Sequence, residues 1–221
     1  MTDCGVPPED VRDHLVAHLD RLQREGVWGL EIKPASPVAE SLEQLAAQAA
    51  GCTLCKLSEG RTNVVFGVGP SSPRLMFIGE GPGRDEDLQG EPFVGRAGQM
   101  LNRIIAAMGL QREEVYIANA VKCRPPRNRN PESDELEACS PFLRRQVESV
   151  CPEIIVLLGR VAAQFVLQTS EPLGRLRGEV HEWLGIPVIC TYHPAYLLRN
   201  PADKGKTWQD MQVVMERLAS P

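Results

Sequence analysis

The sequence predicts an α/β fold in three layers, with helices on both faces of a central, mainly parallel sheet of four strands. Four short apolar runs have the composition of buried strands, and they lie at residues 74–79, 115–121, 153–159 and 187–193. Segments with helical signals separate or follow these runs, at residues 96–108, 131–150, 160–168 and 207–218. Because strand and helix alternate along the chain, we expect parallel strands covered on both sides.

Two of the predicted helices have clear end signals. Gly109 closes the helix at 96–108, since glycine readily adopts the conformation that ends a helix. Asn130 followed by Pro131 has the pattern of an N-cap and a first helical residue. These signals place the start of the second helix at residue 131.

The N-terminal segment differs from the rest of the chain. Helical spacing over residues 8–24 puts four apolar residues on one face: Val11, Leu15, Leu19 and Leu22. A proline-containing stretch at 33–40 is typical of a linker, and a short helix is expected over about residues 40–50. We therefore divide the chain into an N-terminal helical extension, residues 1–46, and a main domain, residues 47–221.

Composition is that of a globular protein, with 43% hydrophobic and 24% charged residues in 221. No apolar run is long enough to span a bilayer, and the first residues show neither the basic nor the apolar part of a signal peptide. We therefore expect a cytoplasmic protein that does not bind a membrane. In that compartment, clustered cysteines bind metal more often than they form disulfides.

The net charge of −5 does not by itself suggest a nucleic-acid ligand. However, residues 1–46 contain nine acidic and four basic residues, which accounts for the whole excess of negative charge. The main domain is balanced, and its segment 122–130 has no acidic residue. That basic loop contains Lys122, Arg124, Arg127 and Arg129.

Unusual residues follow three of the four predicted strands. These strand ends are GEGPGRDED at 79–87, NAVKCRPPRNRN at 119–130 and HPAYLLRN at 193–200. In parallel α/β sheets, ligands bind at the carboxyl ends of the strands, so we expect a site there. The glycine turn is not a dinucleotide fingerprint, because it lacks the GxGxxG spacing, and no Walker A sequence is present.

Three side chains at these strand ends suit recognition of a flat, polar ring. Phe93, in a glycine-flanked loop, could provide a stacking surface for a base, although such an aromatic residue is also a common core contact. The Asn119 amide offers adjacent donor and acceptor groups that match a pyrimidine edge, or could simply satisfy loop backbone. His193 ends the fourth strand and faces the same crevice, which favours a function over a structural role.

The seven cysteines do not all have the same expected role. Cys190 lies in an apolar strand and is expected to be a core residue, while Cys4 is near the terminus. Cys52 and Cys55 follow a helix, whereas a thioredoxin-type redox pair would follow a strand. A four-thiolate site is therefore expected, with Cys123 and either Cys139 or Cys151 completing it. Spacing alone leaves zinc and an iron–sulfur cluster equally open.

Taken together, these motifs resemble the family 4 uracil-DNA glycosylases, the iron–sulfur branch of that superfamily. The resemblance covers about residues 47–217 and rests on five ordered motifs: CTLCKL, GEGPGRDEDLQGEPFVGRAGQML, YIANAVKCRPPRNRNP, a cysteine sixteen positions after Cys123, and HPAYLLR. It implies a three-layer α/β/α fold and the release of uracil from DNA. It also implies a [4Fe–4S] cluster on Cys52, Cys55, Cys123 and Cys139, without Cys151.

The resemblance also implies roles for individual residues. Phe93 would stack on a flipped uracil and Asn119 would bind its polar edge. Glu80 and Gly81 would line the pocket, and His193 would hydrogen-bond a carbonyl oxygen of the departing base. Glu86 would order the pocket or the attacking water. The loop at 194–199 would enter the duplex as a wedge through Leu197, Leu198 and Arg199, and the basic loop would contact phosphates.

Two hypotheses of a different class remain for comparison. A noncatalytic DNA-binding or polymerase-associated protein could keep the cluster as a scaffold, and a redox protein could use it for electron transfer. Neither would need Phe93, Asn119 and His193 together. A relative that forms a covalent DNA adduct through a histidine is disfavoured, since residues 124–131 contain no histidine. We expect a monomer acting on single- or double-stranded DNA, with residues 1–46 available for a protein partner.

Overall fold

A computed structural model describes residues 40–219. The described elements are, in chain order, helix α1 (Leu42–Ala50), strand β1 (Leu75–Gly79), helices α2 (Arg84–Gln89) and α3 (Arg96–Ala107), β2 (Tyr116–Asn119), α4 (Ser133–Val150), β3 (Ile154–Leu158), α5 (Arg160–Val166), α6 (Leu173–Leu176), β4 (Val180–Trp183), β5 (Ile186–Thr191), α7 (Pro194–Arg199) and α8 (Lys204–Ala219). Within this range, no helix has the length and apolar character needed to cross a membrane. The helix predicted at 8–24 lies outside the described residues.

The strands form one sheet in the order β2-β1-β3-β5-β4. The first four strands in this order are parallel, which confirms the predicted α/β class. Parallel pairing puts Gly79 of β1 opposite Asn119 of β2, at the carboxyl ends of both strands. The residues that follow β1, β2 and β5 therefore emerge at one edge of the sheet.

The sheet has a fifth strand that the sequence did not reveal. Strand β4 pairs with β5 in antiparallel orientation, and the two are joined by a tight turn in which Leu184 and Gly185 both have positive φ. Its residues alternate between exposed and half-buried, because β4 lies at the edge of the sheet. A short strand of this kind has no apolar run to identify it.

Apolar side chains cover both faces of the sheet, which explains the three layers. On one face, alternate strand residues such as Met76 and Ile155 pack against α4 and α5. On the other face, the intervening residues, such as Phe77 and Val156, pack against α3 and α8. Every residue of β1 and β3 is buried, as expected for central strands of a parallel sheet.

Several element boundaries differ from the predictions. Helix α4 begins at Ser133, where Glu132 and Glu135 form a reciprocal capping box, so the predicted start at Pro131 is wrong by one turn or less. Residues 194–199, expected to form a loop, are the short helix α7. Helix α1 spans the proposed domain boundary at residue 46, and the division into domains remains a prediction.

Candidate active site

A cavity of about 460 Å³ opens at the carboxyl edge of the sheet. It is lined by residues from the three strand ends that the sequence singled out, together with the start of α3. Among the predicted site residues, it collects Glu80, Gly81, Glu86, Phe93, Asn119, Arg129, His193 and Arg199. Pro82, Asn128 and Tyr196, which the sequence did not suggest, also line it.

Asn119 presents an unused polar group to this cavity. The residue is only 2% exposed, and its Oδ1 atom has no hydrogen-bond partner among the described residues. A buried amide oxygen without a partner is unfavourable, so it is expected to be satisfied by a donor from a ligand. Gly79 makes this arrangement possible, because a Cβ there would come within 2.4 Å of Asn119 Oδ1.

Phe93 is held beside Asn119 by the backbone rather than by side-chain packing alone. Its φ is +55°, a value that residues with a side chain seldom adopt. The Glu86 carboxylate accepts hydrogen bonds from the backbone N–H groups of Val94 and Gly95, each at 3.1 Å. Helix α3 presses against the same turn, since a Cβ on Gly98 would lie 1.7 Å from the Phe93 carbonyl oxygen. The site thus fixes the position of the ring.

His193 has a defined protonation state and tautomer. Burial, and to a smaller degree the nearby Arg199 charge, lowers the pKa of His193 to about 4, so the ring is neutral at neutral pH. Its Nδ1 atom accepts a hydrogen bond from the Ala195 N–H at 3.1 Å, which leaves the proton on Nε2. The imidazole ring lies 5.6 Å from the Phe93 ring, centroid to centroid. A neutral N–H donor therefore lies beside the aromatic surface.

Glu80 is the second titratable group of the cavity with an altered pKa. Burial raises the pKa of Glu80 to about 6, an effect that the Arg160 charge partly opposes. Its carboxyl group is thus poised to change protonation near neutral pH, a property of acid–base residues in active sites. The sequence suggested only a lining role, because the burial of this side chain depends on tertiary structure.

Two of the predicted DNA-binding residues do not face solvent. Lys122 is 2% exposed, and its Nζ atom donates a hydrogen bond to the Asn119 carbonyl oxygen at 2.7 Å. Leu197 is 1% exposed and packs inside the protein. Burial of both side chains argues against the phosphate contact predicted for Lys122 and the wedge role predicted for Leu197, which stay predictions.

The remaining predicted DNA-binding residues are accessible to different degrees. Arg129 is engaged by the buried Glu135, with its two terminal nitrogens 2.8 and 2.6 Å from the two carboxylate oxygens. Arg127 and Arg199 are exposed, while Arg124 and Leu198 are half-buried. Arg124 donates to Asn128 Oδ1 at 2.7 Å. Their roles in DNA binding stay predictions.

The four predicted metal-binding cysteines line a second, smaller cavity. Cys52 and Cys55 come from the segment after α1, Cys123 from the basic loop and Cys139 from α4, and the remaining wall is largely apolar. Cys151 caps the end of α4 and is not part of this lining. Within residues 40–219, no three Cys, His, Asp or Glu side chains converge closely enough to hold one metal ion.

Hydrogen-bond donors face two of these sulfur atoms. Arg61 Nη1 donates to Cys123 Sγ at 3.2 Å and also to the Cys52 carbonyl oxygen at 2.7 Å. The Lys122 backbone N–H donates to Cys139 Sγ at 3.3 Å. Burial raises the pKa of Cys139 to about 11, which favours the protonated form of this thiol. Four thiols, an apolar wall and N–H donors form a donor set that fits an iron–sulfur cluster.

Comparison with known proteins gives one family model and several similar relatives. The family model described as the uracil DNA glycosylase superfamily matches residues 66–212. A type-4 uracil-DNA glycosylase from Saccharolobus solfataricus is 45% identical over 190 residues, covering 82% of this chain and 88% of its own. The type-4 enzyme of Archaeoglobus fulgidus is 43% identical, covering 80% and 93%, and that of Thermotoga maritima is 46% identical, covering 75% and 87%.

Proposed function

The chain belongs to the uracil DNA glycosylase superfamily and, within it, to the type-4 family, and we propose that it excises uracil from DNA. In this reaction the uracil nucleotide leaves the base stack, its N-glycosidic bond is hydrolysed, and an abasic site remains. The observation that carries the proposal is the Asn119 amide oxygen, which has no partner within the described residues and lies beside the Phe93 ring and a neutral His193.

Base recognition is assigned to Phe93 and Asn119. The Phe93 ring offers a face on which a flat base can stack. The Asn119 amide can accept from the N3–H group of uracil through the unpaired Oδ1 and donate to the neighbouring carbonyl oxygen. Cytosine has no N3–H group, so the same amide oxygen would face an acceptor. With cytosine in the pocket, the buried Asn119 Oδ1 atom would stay without a hydrogen bond, and this cost favours uracil over cytosine.

Bond cleavage depends on stabilising charge on the departing base. When the bond between C1′ and N1 breaks, its electron pair stays with uracil and the negative charge spreads to the ring oxygens. His193 can donate its Nε2–H group to one of these oxygens, because Nδ1 is already occupied by the Ala195 N–H. A fixed donor of this type can be worth about 10²–10³ in rate.

The two carboxylates of the pocket are assigned different roles. Glu86 accepts hydrogen bonds from the Val94 and Gly95 N–H groups through one of its oxygens, so it is assigned to positioning the Phe93 turn. Glu80 lines the same cavity and has a pKa near 6, so its ionised form can accept a proton as water adds to C1′. This assignment gives the water-ordering role, first expected of Glu86, to Glu80.

The DNA strand would lie across the mouth of the pocket. Arg199, from α7, lines the pocket and is exposed, and Leu198 is half-buried beside it, so these two residues replace the predicted three-residue wedge. Arg124 and Arg127 of the basic loop are suited to phosphate contacts. Base extrusion costs a few kcal/mol, which such contacts must offset.

We also infer that a [4Fe–4S] cluster is the resident cofactor, held by Cys52, Cys55, Cys123 and Cys139. Their common cavity and the N–H donors at Cys123 and Cys139 support a thiolate-bound cofactor there. The likeness to the type-4 enzymes favours an iron–sulfur cluster over zinc. When bound, the cluster would supply iron–thiolate bonds that join α1, the basic loop and α4. The excision chemistry is assigned to the pocket residues alone.

The direct test is incubation of the full chain with single- and double-stranded oligonucleotides that contain one uracil, with abasic sites scored by alkaline cleavage. Matched oligonucleotides with thymine or cytosine serve as controls. We expect strand cleavage only at uracil. If folded, brown protein produces no abasic sites in either uracil substrate, the proposed glycosylase activity is excluded.

A further inference from the structure

A groove of about 460 Å³ opens beside the pocket and differs from it in charge. Three arginines line it, Arg84 from α2, Arg96 from α3 and Arg124 from the basic loop. None of them lines the pocket itself, whereas Arg199 lines the pocket and not the groove. Four residues line both, which makes the two spaces continuous: Gly83, Glu86, Ala97 and Asn128.

The groove arginines retain their positive charge for an external ligand. Elsewhere in the described part of the chain, many arginines have a carboxylate partner: Arg74, Arg112, Arg129, Arg145, Arg175 and Arg177. In contrast, neither Arg96 nor Arg124 has a carboxylate partner within residues 40–219. Arg84 contacts only the adjacent, half-exposed Asp85, at 3.2 Å, and such surface pairs contribute little.

The acidic run next to Arg84 does not cancel this charge. Asp87 is buried, and its Oδ1 atom accepts from the backbone N–H of Thr62 at 2.8 Å, on the inner side of α2. One oxygen of Glu86 is occupied by two backbone N–H groups of the Phe93 turn. Two carboxylates also line the groove: Asp85, which Arg84 contacts at 3.2 Å, and Glu86. Three arginines against these two carboxylates still leave an excess of positive charge in the groove.

We propose that this groove binds the phosphodiester backbone of the strand whose base occupies the pocket, with Arg96 and Arg124 as the main contacts and Arg84 as a third. The inference rests on the proposed function, since a nucleotide held by its base must place a phosphate just outside the cavity. Guanidinium groups match phosphate oxygens in charge and geometry. Arg84 and Arg96 replace Lys122 and Arg129, which the structure shows to be buried or paired.

The test measures how salt weakens DNA binding. Each phosphate contact contributes about 0.7 to the slope of log K against log salt for single strands. Fluorescence anisotropy with an oligonucleotide carrying a hydrolysis-resistant 2′-fluorinated deoxyuridine would give this slope between 50 and 200 mM salt. We expect Arg96→Gln and Arg84→Gln each to reduce the slope by up to about 0.7 and to weaken binding about three- to tenfold.

Two matched variants and one further ligand make the result specific. Arg103→Gln removes an exposed arginine from the same helix α3 that lines neither cavity, and it should retain the wild-type slope. Arg96→Lys keeps the charge and should restore most of the slope lost in Arg96→Gln. Free uracil has no phosphate, so its inhibition constant should be the same for wild type and all groove variants.

Each outcome has one meaning. An unchanged salt slope in Arg84→Gln and Arg96→Gln would contradict the proposed phosphate binding. An equal loss of slope in Arg103→Gln would also contradict it. An equal loss in Arg96→Gln and Arg96→Lys would also overturn it, because charge would not be the cause. If the wild-type chain releases no uracil but its DNA binding still depends on Arg96, the proposal of phosphate binding is supported and the proposed glycosylase activity is contradicted.

Discussion

The pocket and the cysteine cavity lie close together but differ in how their polar groups are satisfied. In the pocket, the Asn119 amide oxygen has no hydrogen-bond partner among residues 40–219, His193 is neutral, and the pKa of Glu80 is about 6. In the cysteine cavity, N–H donors face two of the four sulfur atoms, and the remaining wall is largely apolar. A buried acceptor without a hydrogen bond suits a ligand that binds transiently, such as a base. Sulfur atoms that already accept hydrogen bonds suit a cofactor that stays bound.

One residue belongs to both regions. The Lys122 side chain supports the backbone of Asn119 in the pocket wall, while its own backbone N–H faces Cys139 Sγ. We therefore expect substitutions in the pocket to lower the excision rate without loss of the cofactor. Substitutions of the cysteines should reduce both the excision rate and cofactor retention.

The largest expected effect comes from removing the pocket donor. His193→Ala should lower the single-turnover excision rate by about 10²–10³-fold, since the charge on the departing base loses its N–H partner. Visible absorption of the protein should stay unchanged, because the cysteine cavity is not touched. A rate within tenfold of wild type would show that the charge is stabilised by another group.

Substitution of a cluster ligand should affect both regions. Cys139→Ser should weaken cluster retention by at least about 10–100-fold, the loss typical of an outer-shell partner, and lower the thermal unfolding temperature. Excision should fall in parallel. Cys190→Ala, a buried thiol within β5, is the matched control and should keep the visible absorption. Loss of absorption in Cys151→Ser, with retention in Cys139→Ser, would reverse the ligand assignment.

The pH dependence separates the two carboxylate roles. Because burial raises the pKa of Glu80 to about 6, the excision rate should rise with pH and level off above about pH 7. At pH 5 about one-tenth of Glu80 is ionised, so the rate should be about tenfold lower than the plateau. His193, with a pKa near 4, stays neutral across this range. A Glu80→Gln variant with the wild-type profile would contradict the assignment.

The same shift in Glu80 has a consequence for stability with a defined sign. The folded state binds the proton more tightly than the unfolded chain, so this residue favours folding most below its ordinary pKa of 4.5. That contribution is lost as the pH rises through about 6. Glu80→Gln should therefore remove a stability difference between pH 5 and pH 7 that wild type shows.

The smallest effect tests the residue shared by the two regions. Lys122→Met removes the Nζ donor to the Asn119 carbonyl oxygen but keeps the backbone N–H at Cys139. We expect an excision rate about three- to tenfold lower, because one hydrogen bond to a charged group is lost, with visible absorption preserved. If absorption is lost instead, Lys122 belongs to the cysteine region alone.

The parts of the fold that the sequence predicted are those with a strong local signal. Strands β1 and β3 are buried on both faces and so appear as continuous apolar runs. Strand β4 lies at an edge and carries His181 and Glu182, so its pairing depends on the hairpin turn and not on its own pattern. The capping box of α4 is hard to recognise in the sequence because Asn130 and Pro131 give a competing start signal.

The site shows a similar limit. Phe93, Asn119 and His193 could be selected because strand ends of a parallel sheet converge, and the structure places them in one cavity. Lys122 and Arg129 look alike in the sequence of a basic loop, but one is buried and the other is paired with Glu135. The shifted pKa of Glu80 also arises from burial, which a single sequence does not reveal.

The contact between Gly98 and the Phe93 carbonyl has a consequence for motion. With no room for even one carbon atom between them, the Phe93 turn and the first turns of α3 must move as one rigid body. A nucleotide that enters the pocket therefore has to be accommodated by the opposite walls, which are helix α7 and the loop at 124–130. Relaxation-dispersion measurements on DNA-bound protein should find millisecond exchange in those two segments and no such exchange in the backbone of residues 93–98.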